Sequence, residues 1–193
     1  MAFTEFDLAV FPYSVQCASF GDYHRYWNDR ENRIKNPAFD RHSNMLLSLK
    51  QKDNRQFREA VNYCASHVVE ALNAVGSPVE FVIVPSRTAG KVSDGLVAIV
   101  NAACKANRRF SYRPGSLVRT RTIEKLATGG NRSRAVHTNS LRYVESATAP
   151  ATKVVIDDIM TTGNSISAAV LLIKAQRPEA QVFAMVLGRT VHD

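Results

Sequence analysis

Residues 153–170, Lys-Val-Val-Ile-Asp-Asp-Ile-Met-Thr-Thr-Gly-Asn-Ser-Ile-Ser-Ala-Ala-Val, constrain this chain more than any other stretch. Val154, Val155 and Ile156 form a β-branched apolar run, the pattern of a strand buried on both faces. Asp157 and Asp158 fall where that strand ends. Thr161, Thr162, Gly163, Asn164 and Ser165 make a small, hydroxyl-rich turn, after which Ile166, Ala169, Val170 and Ile173 recur at helical spacing. A buried strand, an acid pair, a polar turn and a helix start follow one another without a break, so the chain is expected to be α/β.

The unit has a chemical use. The first turn of a helix offers unpaired N–H groups and the positive end of the helix dipole, a ready phosphate site. Gly163 lets the backbone approach an anion, and the Thr and Ser hydroxyls add donors. Two adjacent carboxylates would repel a phosphate, but they suit sugar hydroxyls or Mg²⁺. A pentose 5-phosphate meets both demands. An ordinary helix cap needs one Asp, not two followed by Thr-Thr-Gly.

Residues 156–165, Ile-Asp-Asp-Ile-Met-Thr-Thr-Gly-Asn-Ser, resemble the motif with which type I phosphoribosyltransferases bind 5-phosphoribosyl 1-diphosphate (PRPP). The resemblance implies a Rossmann-like, mostly parallel sheet with helices on both faces, plus a small N-terminal hood. It implies that Asp157 and Asp158 are the catalytic pair, holding the ribose hydroxyls and, directly or indirectly, Mg²⁺. It gives the 5′-phosphate to Met160, Thr161, Thr162, Gly163, Asn164 and Ser165.

A second strand–loop–helix unit precedes the first. Phe81-Val-Ile-Val84 reads as a buried strand, Leu96, Ile99, Val100 and Ala103 as a helix face, and Pro85-Ser-Arg-Thr-Ala-Gly-Lys91 joins them. By the same helix-terminus reasoning this loop is a second anion site. In the resembled family the corresponding loop holds pyrophosphate, which points to Ser86, Arg87, Thr88, Ala89, Gly90 and Lys91.

Leu117, Val118 and Arg119 read as a third strand, and residues 120–140 then run with little periodicity. A polar stretch of this length inside a compact domain is expected to be a lid or a disordered excursion, with Gly129 and Gly130 as its hinge or tip. The family carries a mobile catalytic loop here, so Arg119, Arg121, Lys125, Arg132 and Arg134 are candidates to neutralise pyrophosphate on closure. His137 reads as structural rather than catalytic.

Residues 1–45 are expected to form an N-terminal cap and residues 46–193 the phosphoribosyltransferase core. Phe6, Leu8, Val10 and Phe11 suggest a strand stopped by Pro12. Tyr13, Phe20, Tyr23, His24, Tyr26 and Trp27 make an aromatic cluster, either a small subdomain core or a wall on which a planar base stacks. Phe57, Val61, Cys64, Ala65, Val68 and Leu72 share one helix face, and residues 182–187, Val-Phe-Ala-Met-Val-Leu, read as a strand buried on both sides.

Composition narrows the function classes. No apolar run approaches the ~20 residues of a membrane helix, and residues 1–7 lack the basic and apolar regions of a signal peptide, which points to the cytoplasm. Cys17, Cys64 and Cys104 are odd in number and widely spaced, suiting neither a zinc module nor a disulfide frame. The net charge of +8, from 25 basic and 17 acidic residues, favours a polyanionic partner, either nucleic acid or a phosphorylated small molecule.

Residues 45–50, 84–87, 117–121 and 187–190, together with the acid-pair motif, are similar to the ComF-like (competence-protein-F-like) branch of the family. Many members of that branch begin with a four-cysteine zinc module, whereas this chain has only Cys17 there. The resemblance implies Mg²⁺-dependent transfer of ribose 5-phosphate from PRPP to a nucleobase or amine, in a family that often forms homodimers. The alternative expectation is a non-catalytic PRPP or nucleotide sensor of competence type, associated with nucleic acid.

Overall fold

The computed structural model describes residues 4–52, 55–124 and 133–190. Seven strands form the main sheet. Its centre is β6 (Val79–Ile83), β10 (Thr152–Met160) and β11 (Gln181–Thr190), all mutually parallel. On one side β6 pairs in parallel with β7 (Phe110–Tyr112). On the other, β11 pairs in parallel with β2 (Tyr13–Ser19) and β3 (Asp22–Tyr23). The antiparallel edge strand β1 (Thr4–Val10) completes the sheet. The chain is thus α/β with a mostly parallel sheet.

Helices cover both faces because the central strands are apolar on both. Phe81 and Ile83 of β6, Val154 and Ile156 of β10, and Met185 and Leu187 of β11 face one core. There they meet α1 (Arg41–Ser48), α2 (Arg55–Ala71) and α3 (Asp94–Ala106). The alternate residues Val82, Val155, Ala184 and Val186 face the other core, under α5 (Asn164–Gln176). This is the two-residue period of a strand read out on two helical layers. Among the described residues, no helix is long and apolar enough to cross a membrane.

Two elements differ from the sequence reading. Leu117–Arg119 is a strand, β8, but it leaves the main sheet and pairs with β9 (Leu141–Tyr143) in a two-stranded ribbon. The third core strand is β7, which is only three residues long and alternates as an edge strand does. Within the stretch expected to be irregular, α4 (Arg134–Ser140) forms a helix packed on α5. Seven residues span barely two turns, too few for a 3.6-residue period to show. Lys125, Arg132, Gly129 and Gly130 lie outside the described residues.

Part of the segment expected to cap the site extends the main sheet instead. β1 and β2 form a hairpin through a cis Phe11–Pro12 bond, and Val10, Val15 and Cys17 enter the second core. Farther on, β4 (Trp27–Asp29) and β5 (Ile34–Lys35) form a small antiparallel ribbon, and the aromatics there pack on one another: Tyr26 meets Trp27 and Phe39 edge-to-face, at 4.7 and 5.0 Å between centroids. Phe20 is buried in the first core, and Tyr23 packs against it.

At the end of the sheet away from the acid pair lies a buried charge network. The Lys153 side chain is fully buried. It bonds Glu80, and Glu145 at 3.0 Å; Tyr143 donates to Glu145 at 2.7 Å.

Candidate active site

The crossover from β6 through α3 runs outward to β7, whereas the crossover from β10 through α5 runs the other way to β11. The strand order therefore reverses between β6 and β10, and in open α/β sheets ligands bind at the carboxyl ends of strands at such a reversal. β6 pairs with β10 only as far as Ile83 and Ile156, after which Pro85 ends that ladder. Asp157–Met160 run on beside β11 alone. A cavity of about 500 Å³ opens there.

The acid pair and the polar turn both line this cavity, as do Ser86, Arg87, Arg119, His137 and Lys50. Asp157 and Asp158 are half-buried at its floor. The Asp158 N–H donates to Asp157 Oδ1 at 2.9 Å, and the Ile159 N–H donates to Asp158 Oδ1 at 2.7 Å. Burial, and next the negative charge of Asp158, raise the Asp157 carboxyl well above the usual carboxylate range. Tyr23 belongs to the same neighbourhood: burial first, then the Asp158 charge, push its phenol up.

Thr161 and Thr162 are exposed, and Asn164 and Ser165 are half-buried. Gly163 precedes the first residue of α5 at φ +73°, in the left-handed region that glycine enters without strain. As the N-cap residue of α5, Gly163 has no side chain with which to cap it, whereas Asp40 caps α1 and Ser93 caps α3. The start of α5 therefore suits an external anion. Met160 lines the cavity as well, with its side chain in the second core.

The loop after β6 is divided. Ser86 and Arg87 line the cavity. Farther along, the amides expected to receive an anion are bonded to protein. Ala89 N–H donates to Thr122 Oγ1 at 3.0 Å, Gly90 N–H to the Arg119 carbonyl at 3.1 Å, and Lys91 N–H to the Thr88 carbonyl at 3.2 Å. Thr88, Ala89, Gly90 and Lys91 are not brought to the cavity wall.

The basic residues expected on a mobile loop also separate. Arg119 is buried on β8 and held by protein acceptors: Nε donates to the Ser86 carbonyl at 2.6 Å and Nη1 to Ser140 Oγ at 2.5 Å. It lines the cavity as a fixed group. Arg121 is exposed on the loop beyond β8 and Arg134 starts α4; neither lines the cavity. Lys50, just past α1, and Ile123 do line it; Lys50 ends the 45–50 segment of the family resemblance but was not among the expected site residues, and Ile123 belonged to no motif.

Among the described residues, no group of three or more His, Cys, Asp or Glu gathers to hold a metal ion. The two carboxylates fit a hard divalent cation that arrives with substrate oxygens and water, since Mg²⁺ keeps much of its shell from such sources. All three cysteines are free thiols, and burial pushes Cys17 and Cys64 up to about 12. No protein-family model matches this sequence, and no curated protein matches it.

Proposed function

We propose that this chain is a phosphoribosyltransferase of the type I class, moving ribose 5-phosphate from PRPP to a nucleobase or amine. One observation carries the reading: the acid pair, the start of α5 at Gly163 and the Ser86–Arg87 corner converge on one cavity at the strand-order reversal. A ligand with a diol between two anionic ends matches those three features in order.

The residues divide the work. Thr161, Thr162, Asn164, Ser165 and the first turn of α5 hold the 5′-phosphate. Asp157 and Asp158 accept hydrogen bonds from the ribose hydroxyls. Ser86, Arg87 and Lys50 face the pyrophosphate end. The acceptor nitrogen forms its bond to the anomeric carbon while pyrophosphate departs with the electron pair of the broken C–O bond, and the acceptor loses a proton to solvent. Positive charge develops on the ribose in between, and the carboxylates beneath it favour that state. Mg²⁺, when bound, supplies charge compensation for the pyrophosphate.

Titration calorimetry tests the reading. The protein binds PRPP in the presence of Mg²⁺, and the Asp157→Asn/Asp158→Asn variant does not. Equal affinity in the two would reject it. A screen of nucleobases and amines with PRPP and Mg²⁺, followed by pyrophosphate release, identifies the acceptor.

A second reading rests on the +8 charge and on exposed Lys50, Lys91 and Arg121 around this end of the sheet. It makes the chain a nucleotide sensor associated with nucleic acid. Such a protein binds PRPP without releasing pyrophosphate and retains DNA or RNA with a steep salt dependence.

A further inference from the structure

Two lysines stand just past α1, and the fold treats them differently. Lys52 pairs with Asp94, in the first turn of α3, at 3.5 Å. Lys50 is exposed and lines the cavity, and among the described residues no acceptor takes its ammonium. Lys50 does not hang on a loose loop. At the start of α1, Asp40 caps the helix and His42 Nε2 lies 2.8 Å from the Leu187 carbonyl oxygen. At its end, Leu49 is buried and pressed against Gly95, the second residue of α3. A Cβ on that glycine would lie 2.9 Å from Leu49 Cβ and 3.0 Å from the Leu49 carbonyl oxygen, so only glycine leaves room for the approach. The loop after β6, which carries Ser86 and Arg87 to the cavity, ends at the start of α3. Lys50 therefore reaches the cavity from the side of that loop.

We propose that Gly95 is a positioning residue: it seats Leu49 and so sets the Lys50 ammonium at the Ser86–Arg87 end, where Lys50 selects a sugar phosphate that bears a diphosphate over the plain sugar phosphate. This rests on the phosphoribosyl reading of the cavity. A diphosphate brings negative charge into a cavity that Asp157 and Asp158 also line, and like charges repel at this range. A cation on the wall nearest the diphosphate offsets that repulsion. The leaving group gains charge as its C–O bond breaks, and an ammonium already held in place stabilises it without reorganising. Arg119 lines the same cavity, but its guanidinium already donates to the Ser86 carbonyl and to Ser140 Oγ. The α1–α2 turn thus supplies a charge that the loop after β6 does not carry alone.

Calorimetry in Mg²⁺ with three probes tests it: PRPP, inorganic pyrophosphate and ribose 5-phosphate. In Lys50→Gln the affinities for PRPP and pyrophosphate fall about tenfold, the scale of one hydrogen bond to a charged group, while that for ribose 5-phosphate stays within about twofold of wild type. Lys50→Arg keeps the charge and holds PRPP affinity within about threefold of wild type. Gly95→Ala shows the same diphosphate-specific loss with Lys50 still present. Alanine is the better helix former, so a weakened α3 does not account for that loss, and the retained affinity for ribose 5-phosphate certifies the fold. Adding Lys50→Gln to Gly95→Ala causes no further loss, since the glycine acts through the lysine. Wild-type PRPP affinity in Lys50→Gln, an equal loss for ribose 5-phosphate, or losses that add, overturn the proposal while the phosphoribosyl reading survives. The Lys50 variants decide even where Gly95→Ala does not fold, because that side chain is exposed. If wild type binds neither PRPP nor ribose 5-phosphate, both fall.

Discussion

Asp157 and Asp158 are locked side by side by the main chain itself, since the N–H of the second donates to Oδ1 of the first at 2.9 Å. The pair cannot relax apart without breaking that bond. Burial and the neighbouring charge raise the Asp157 carboxyl well above its ordinary 3.8. A carboxyl whose folded pKa exceeds its unfolded one subtracts stability above the unfolded value, increasingly as pH climbs to the folded one. Asp157→Asn is therefore expected to stabilise the protein at pH 7 while abolishing PRPP binding. In urea denaturation the gain should vanish as pH falls through the ordinary carboxylate range.

Gly163 should not tolerate alanine. Its φ of +73° costs an L-residue about 1–2 kcal/mol, and a Cβ there would meet Leu8 Cδ1 at 2.9 Å. Leu8 can yield, but the backbone angle cannot. Gly163→Ala is expected to lower the melting temperature and weaken PRPP binding at least about tenfold. Adding Leu8→Ala should not restore binding. Recovery in that double variant would mean the contact, not the angle, was limiting.

His42 should make stability fall in mild acid. It is buried against the Leu187 carbonyl at 2.8 Å, and burial lowers its pKa below the ordinary 6.5. The unfolded chain then takes up a proton that the folded chain refuses, so stability drops as pH falls from 6.5 toward the folded value. Urea midpoints at about pH 7.5 and 5.5 measure the drop. It should be smaller in His42→Gln, whose amide can still donate to Leu187.

Lys153→Met should cost about 3 kcal/mol, because it removes the fully buried cation and leaves Glu80 only Arg113 at 3.5 Å and Glu145 only Arg177 at 3.7 Å. Replacing Glu80 by Met as well should recover much of the loss. Chemical denaturation of both variants separates the two outcomes.

The strand–turn–helix at 152–176 was legible in the sequence because every part of it is local: the apolar run, the acid pair, the glycine and the helical spacing are contiguous. The loop after β6 was legible only halfway. Its composition suited an anion, but Thr122 and the Arg119 carbonyl, about thirty residues away, take up the amides of Ala89 and Gly90. Arg119 read as a lid cation because charge alone suggests solvent, and only the fold supplies the Ser86 and Ser140 acceptors that bury it. His137 carried no periodic or motif signal, and Lys50 stood in a segment of the family resemblance with no site role attached; tertiary packing brings both to the cavity. Likewise, nothing in Lys153 itself announced that two carboxylates would follow it into the interior.

The sheet joins Cys17 of β2 to Ala184 of β11. During synthesis the β1–β2 hairpin therefore has no parallel neighbour until residues 184–186 have left the ribosome. Val10, Val15 and Cys17 stay uncovered for that time, and Leu8 cannot settle beneath Gly163. Sequence-distant pairing of this kind slows folding and exposes strand edges. Leu8 and the two strands thus brace the turn at Gly163 from a distance of more than 150 residues along the sequence, although neither strand lines the cavity.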